Sequence, residues 1–232
     1  MKYVKGIFKE RPNRFIAIVD IDGKDVTAHV PNTGRCKELL LYGAIVYILP
    51  NNNPKRKTKY SLHFVMNNGV LVSLYSQEAN NIVYDSVKKG KIKELRSYNH
   101  YSKEKTFGKS RIDIYIFDDE DNEAYIEVKG VTLVEDCIAK FPDAPTERGR
   151  KHLKELIATK KQGHRAIVFF LIQHPNGNSF KPNWSNDPEF GETLVEAEKE
   201  GVEILVYKTK NTLEKVELIE KSLKYDLKKE HN

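Results

Sequence analysis

Over the first third of the chain apolar and polar positions alternate in short runs, and later they settle into longer helix-period patterns. The period-two runs predict strands at Tyr3–Phe8, Phe15–Ile21, Asp25–Val30, Ala44–Leu49, Tyr60–Val65 and Val70–Tyr75. Asp22-Gly23 and Asn68-Gly69, each flanked by β-formers, predict hairpin turns. Between the third and fourth strands Gly34 to Leu40 has room for about two helical turns, and Asn51–Lys59 is a basic loop. Together these runs describe a small barrel or a strongly bent sheet.

The spacing turns helical from Glu78 to Lys89 and again around Ile92 to Leu95, which reads as a linker between two parts, residues 1–80 and 81–232. Ser110–Phe117 and Glu123–Lys129 are apolar-rich strands around the acidic turn Asp118–Asn122 and predict a hairpin. A helix is expected from Asp143 as its N-cap, with Pro145 in the first turn, to Gly163 just past its end. Its core stripe is Gly149, Leu153, Leu156 and Ile157. Ala166–Ile172 shows no alternation and predicts a strand buried on both faces. A helix from about Asp187 to Glu200 and a strand Val202–Tyr207 complete a mixed α/β sheet with a parallel section. The charged segment Leu223 to Asn232 is expected to fray.

Composition narrows the setting. At 232 residues the chain can bury a sizeable core without staples. Cys36 and Cys137 are its only cysteines and form no C-x-x-C pattern, so neither a disulfide framework nor a zinc ribbon is supported. The first residues hold no apolar signal core, and the longest apolar run, Ala166–Ile172, is too short to span a bilayer. A cytoplasmic protein with no membrane partner is expected. The net charge is +6, and its distribution matters more than its size: residues 1–80 hold 12 Lys/Arg against 6 Asp/Glu, whereas residues 81–232 hold 27 of each. A basic surplus confined to one small part suits a polyanion, and it also serves solubility.

Candidate chemistry concentrates in the predicted hairpin. Alternation places Arg111, Asp113 and Tyr115 on one face of the first strand, and Glu127 and Lys129 on one face of the second. If Phe117 pairs with Glu123, Asp113 falls across from Glu127, with Cβ atoms about 4.5–5.5 Å apart. Such a pair is destabilising unless something positive sits between the two acids. Phosphodiester cleavage uses such groups, because hard carboxylate oxygens hold Mg²⁺ or Mn²⁺ and a nearby lysine can position water and offset phosphate charge. The alternative is a salt-bridged polar face in which Lys129 or Arg111 neutralises the acids. The pattern Asp/Glu-x-Lys occurs three times, at Asp22, Glu127 and Asp226, but only Glu127 lies on a core strand with an acid on its hairpin partner. There is no G-x-x-x-x-G-K-[ST] loop, G-x-S-x-G elbow or H-E-x-x-H pair, which disfavours P-loop nucleotide hydrolysis, serine hydrolase chemistry and zinc protease chemistry.

Five segments, HVPNTGR at His29–Arg35, GKSRIDI at Gly108–Ile114, YIEVKGVTL at Tyr125–Leu133, FPDAPTERGRKHLKEL at Phe141–Leu156 and GVEILVYK at Gly201–Lys208, resemble those of the sugar fermentation stimulation protein A family. The resemblance covers almost the whole chain. It implies an N-terminal OB-fold β-barrel and a C-terminal α/β domain of the PD-(D/E)XK nuclease-like (restriction-endonuclease-like) fold. It further implies DNA binding without marked sequence preference and a tie to regulation of sugar utilisation. Carried over residue by residue, the nuclease pattern falls on Asp113, Glu127 and Lys129, with Asp113 and Glu127 as the metal ligands. Glu104 resembles the upstream acid that many such folds place on a helix near the metal; an exposed helix glutamate is the plain alternative. Arg148 and His152, four apart on a helix, point at a phosphate or form a charged pair on a solvated face.

For nucleic acid contact the barrel offers Lys55, Arg56, Lys57 and Lys59 in one loop, and Lys5, Lys9, Arg11 and Arg14 around the first turn. Phe15, Tyr47, Tyr60 and Phe64 are candidate stacking rings, with core positions as the alternative. His29 and the Pro31-Asn32-Thr33-Gly34 turn could bind an anion through backbone amides or orient the barrel against the second part. Three functions compete: a DNA-binding protein with a metal-dependent nuclease, a DNA-binding regulator that keeps the fold for grip alone, and an interaction module for protein or RNA. DNA is the partner expected, with RNA left open.

Overall fold

The computed structural model describes residues 2–32, 34–51, 56–107 and 110–229. Within them the chain begins with six strands, β1 (Val4–Asn13), β2 (Ile16–Ile21), β3 (Lys24–His29), β4 (Ile45–Pro50), β5 (Tyr60–Asn67) and β6 (Val70–Ser73). β1 carries two register shifts against β2, and these bulges let one long strand bend enough to pair with both β2 and β4. A parallel pairing of β3 with β5, Ala28 to Tyr60 and His29 to Ser61, closes five strands into an OB-fold barrel. Both expected hairpin turns form: Asp22-Gly23 and Asn68-Gly69 all have positive φ, as a two-residue I′-type turn requires.

The helix expected at Gly34–Leu40 does not form. A single turn closes instead, with Leu39 N and Leu40 N donating to Cys36 O. A segment this short gains little from helix propagation, and here Cys36, Leu39 and Leu40 fill one end of the barrel core beside Val30 and Phe8.

Residues 78–95 are no linker. Helix α1 (Glu78–Lys88) buries Ala79, Ile82, Val83 and Val87 against one face of the second sheet, and a 3-10 turn at Lys93–Leu95 continues that layer. The second part then builds β7 (His100–Phe107), β8 (Ser110–Phe117), β9 (Glu123–Val131), β10 (Val134–Glu135), β11 (Ile138–Phe141), α2 (Glu147–Lys161), β12 (Arg165–Ile172), β13 (Ser179–Pro182), α3 (Pro188–Lys199), β14 (Glu203–Asn211), β15 (Val216–Leu218) and β16 (Lys224–Tyr225). Its main sheet has the order β15-β14-β12-β9-β8-β7. The β8–β9 hairpin is antiparallel, while β9, β12 and β14 run parallel through crossovers that contain α2 and α3. Central β12 is fully buried from Ala166 to Ile172 because α1 covers one face and α2 with α3 the other. This is the mixed α/β sheet of the PD-(D/E)XK fold. Among the described residues no helix is long and apolar enough to cross a membrane.

Two boundaries shift for identifiable reasons. The N-cap of α2 is Thr146, whose Oγ1 accepts from Gly149 N at 3.0 Å, and not Asp143. Asp143 is engaged elsewhere, accepting Cys36 N from the barrel at 3.2 Å. Gly163 does end the helix, with φ +94 beyond the C-cap Gln162. The tail does not fray over its described length: β16 pairs with β13, and Leu223 and Leu227 pack on the core. Residues 230–232 lie outside the described residues.

Candidate metal and nucleic-acid site

The hairpin register brings the acids together. Phe117 pairs with Glu123, and the ladder runs through Tyr115–Tyr125 to Ile114–Ile126, one step short of Asp113 and Glu127. There the strands part, and the Asp113 carboxylate lies in the opening. Its Oδ2 accepts Val128 N–H at 2.9 Å and its Oδ1 accepts Asn80 Nδ2, from α1, at 2.7 Å. Glu127 stays inside the sheet beside Val168 of β12 and is 2 % exposed. Its Oε1 receives Lys129 Nζ at 2.8 Å and a short hydrogen bond from His152 Nδ1. Arg148 Nε donates to His152 Nε2 at 3.3 Å, which assigns the imidazole proton to Nδ1. Glu127 Oε2 is buried with no hydrogen-bond partner.

The two carboxyls therefore differ in proton affinity. Burial, then the charge of Glu127, pushes Asp113 up to about 6, against the pull of Val128 N–H, Lys129 and Asn80. Burial also pushes Glu127 up, but the His152 hydrogen bond and Lys129 outweigh it and hold Glu127 below the usual carboxylate range. The salt-bridged alternative thus describes one acid and not the other. Arg111, the second cation of the salt-bridged alternative, pairs instead with Glu104 at 3.1 Å on the exposed surface.

Asp113, Glu127, Lys129, Arg148 and His152 all border one cavity of about 360 Å³. Glu104 does not. It sits on strand β7, not on a helix, with φ +58 and an exposed side chain. His152 is not turned toward a ligand as expected; it is buried and holds Glu127. The opposite wall comes from the barrel: Phe15, His29, Val30, Pro31 and Asn32. The Pro-Asn turn is tied down by Arg11, whose guanidinium donates to the carbonyls of Gly34, Asn32, Arg35 and Arg14, and Ser76 Oγ donates to Pro31 O at 2.9 Å. A Cβ on Gly34 would collide with the Asp143 carboxylate, so glycine is needed there for close approach of barrel and second part. Thr33 lies outside the described residues.

The basic candidates divide. Lys9 is bridged to Asp20 at 3.1 Å and to Asp25, and Arg11 is committed to the turn. Arg14, Arg56, Lys57 and Lys59 are exposed, while Lys55 lies outside the described residues. None of Arg56, Lys57 and Lys59 borders the acidic cavity. Of the candidate rings Phe64 is buried at 4 %, whereas Phe15 is 43 % exposed with the Arg14 guanidinium 4.7 Å from its centroid. Reading the sequence missed Asn80, although an amide in the first half of a helix next to the site was visible as EANN.

Among the described residues no group of three or more His, Cys, Asp or Glu converges to hold a metal. Two carboxylates, one with an unpartnered buried oxygen, nonetheless fit a hard cation that keeps several waters better than they fit zinc.

A closed OB barrel joined to a PD-(D/E)XK sheet defines a two-part, nuclease-like class, and comparison with known proteins agrees. Residues 10–74 match the SfsA N-terminal OB domain, and residues 77–215 match the sugar fermentation stimulation protein RE domain. The chain is 66% identical to the sugar fermentation stimulation protein homolog of Methanobrevibacter smithii, over 98% of this chain and 99% of that one. It is 48% identical to the homolog of Clostridium perfringens strain 13, over 93% and 94%. The solved structure of Pyrococcus furiosus SfsA in complex with Ca²⁺ superposes with a TM-score of 0.88 at 31% identity, covering 97% of this chain and 96% of that one. The chain belongs to the sugar fermentation stimulation protein family.

Proposed function

We propose that this protein binds DNA largely without regard to sequence and holds a divalent cation, Mg²⁺ or Mn²⁺, between Asp113 and Glu127 in a site arranged for phosphodiester hydrolysis. The observation that carries the reading is the unpartnered Oε2 of a carboxylate that is 2 % exposed, beside a second carboxyl whose proton affinity is raised. A buried acceptor left without a donor costs about 1–3 kcal/mol, which a cation shared with Asp113 would offset. The solved Pyrococcus furiosus relative contains Ca²⁺, another hard cation with oxygen preference.

Bound there, the cation would polarise a phosphoryl oxygen and lower the pKa of a water ligand. The protein's own residues have separable tasks. Asp113 is aimed by Asn80 and Val128 N–H, and Glu127 is aimed by His152, which Arg148 in turn orients. Lys129 Nζ, bonded to Glu127 and 3.3 Å from His152 Nδ1, can turn toward a phosphate entering the cavity and offset the charge that builds there. One observation favours a second reading, a DNA-binding protein without turnover: Lys129 Nζ is already held by Glu127 at 2.8 Å.

Two experiments test these readings. With about four phosphates neutralised, log K for DNA should fall with log salt at a slope of about −3 to −4; salt-independent affinity would overturn electrostatic DNA binding. Lys129→Ala should abolish magnesium-dependent cleavage and leave DNA affinity largely intact, because the amine acts on the transition state. Cleavage unchanged in that variant would remove Lys129 from the assignment, and absence of cleavage in the parent would favour the second reading.

A further inference from the structure

The acidic cavity is a composite of both parts, and its shape bears on which form of DNA can enter it. Its floor is Asp113, Glu127 and Lys129, and its facing wall is the barrel's Phe15, His29, Val30, Pro31 and Asn32. That wall is anchored to the second part at several points. Cys36 N donates to Asp143 at 3.2 Å, and Pro31 O accepts from Ser76 Oγ, in the segment that leads into α1, at 2.9 Å. Further along, Ser73 N donates to Gln173 O at 3.2 Å and Asn211 Nδ2 to Leu71 O at 2.9 Å. These ties hold the barrel against the α/β part. Its volume, about 360 Å³, lies at the low end of the roughly 300–1,000 Å³ that encloses one small organic molecule. A duplex, whose major groove alone is about 12 Å wide, is far larger than such a space.

The rim carries a ring suited to a base. Phe15 is one of few large apolar side chains exposed among the described residues, and of those it alone borders this cavity. It stands at the tip of the β1–β2 hairpin, where Phe15 N donates to Asn13 Oδ1 at 2.9 Å and Arg11 donates to Arg14 O at 2.6 Å. The tip is thus preorganised. Arg14 lies over the ring and adds a cation next to it, the combination of aromatic platform and charge on which single strands stack. His29 in the same wall is held below the usual imidazole range by burial and then by Arg56, so at neutral pH it presents an uncharged ring that can hydrogen-bond to a base edge.

We infer that the cavity admits one unpaired nucleotide, its base stacked on Phe15 of the barrel and its phosphate directed to the Asp113–Glu127 floor, so that the DNA recognised is single-stranded or flapped and not intact duplex. This rests on the DNA-binding reading above and specifies it. A purely electrostatic barrel would favour the opposite order, because duplex carries one charge per roughly 1.7 Å of axis.

The test is fluorescence anisotropy with the full chain in calcium, using a 30-nucleotide single strand, the same sequence as duplex, and that duplex with an unpaired flap. Single strand and flap are expected to bind about tenfold or more tighter than duplex at equal salt. Phe15→Ala should weaken the first two by about five- to a hundredfold, the range of one lost stacking contact, and leave duplex binding unchanged. Phe15→Trp should keep the preference and show fluorescence quenching on addition of single strand. Duplex binding as tight as single strand, or single-strand affinity unchanged in Phe15→Ala, would overturn the inference while leaving non-specific DNA binding in place. No binding of any of the three DNAs would overturn the underlying reading with it.

Discussion

The barrel and the α/β part use their charged residues differently. The barrel holds the whole net positive charge, yet Lys9 is spent on a surface salt bridge and Arg11 on backbone carbonyls, and its remaining described cations stand in solvent. The α/β part is neutral in sum, yet it buries a carboxylate and a histidine in one cluster with the half-buried Lys129, and Asp113 lies beside them. Surface charge sets long-range attraction, while buried charge sets local chemistry at a real cost in stability. The two meet only because the barrel's Pro-Asn turn and Phe15 form the wall opposite the acids.

The sharpest way to break this contrast is to remove a buried charge. Glu127→Ala leaves Lys129 without its partner inside the cavity and should destabilise the protein by about 3–5 kcal/mol in urea unfolding. Substituting Lys9, whose partners are on the barrel surface, should produce no resolvable change in the same measurement. Comparable losses at the two sites would mean the α/β cluster is as solvated as the barrel.

The next effect is pH-dependent. Asp113 binds its proton more tightly folded, at about 6, than at the ordinary carboxyl value of 3.8. The stability this adds is fully present below about pH 4 and is lost as pH rises through about 6. Glu127, held low, runs the other way: its contribution is present above the ordinary value of 4.5 and is lost as pH falls. Asp113→Asn should therefore remove the loss between pH 4 and 6 and make the metal-free protein more stable at pH 8, by about 3 kcal/mol. A variant less stable than the parent at pH 8 would show that Asp113 is compensated by a cation already in place.

A smaller effect is expected on the barrel. Reversing Arg56 and Lys57 to glutamate should weaken binding to all DNA sequences alike, and the salt slope should shrink by about 1–2. Unchanged affinity would make this loop a solvated tip.

Much of this was legible in the sequence. Ala166–Ile172 announced a strand covered on both faces, and the Asp118–Asn122 turn fixed the register that brings Asp113 toward Glu127. What was not legible depended on partners distant in the chain. Asp143 looks like an N-cap until Cys36, 107 residues away, takes its carboxylate. His152 looks like a phosphate ligand until α2 packs it on Glu127. β7 escaped notice because HYSKEKTF carries charges where alternation should show apolar residues, as a solvent-exposed edge strand does. Glu104 went with it.

The central claim, that Asp113 and Glu127 share a divalent cation, is tested most directly by titration calorimetry of the metal-free protein with Mg²⁺ and Mn²⁺ at pH 8, where Asp113 has lost its proton. One site per chain is expected, accompanied by a rise in Tm with saturation, and both should vanish in Asp113→Asn while the fold is kept. Binding that survives unchanged in Asp113→Asn, or no binding of either ion to the parent at millimolar concentration, would contradict it.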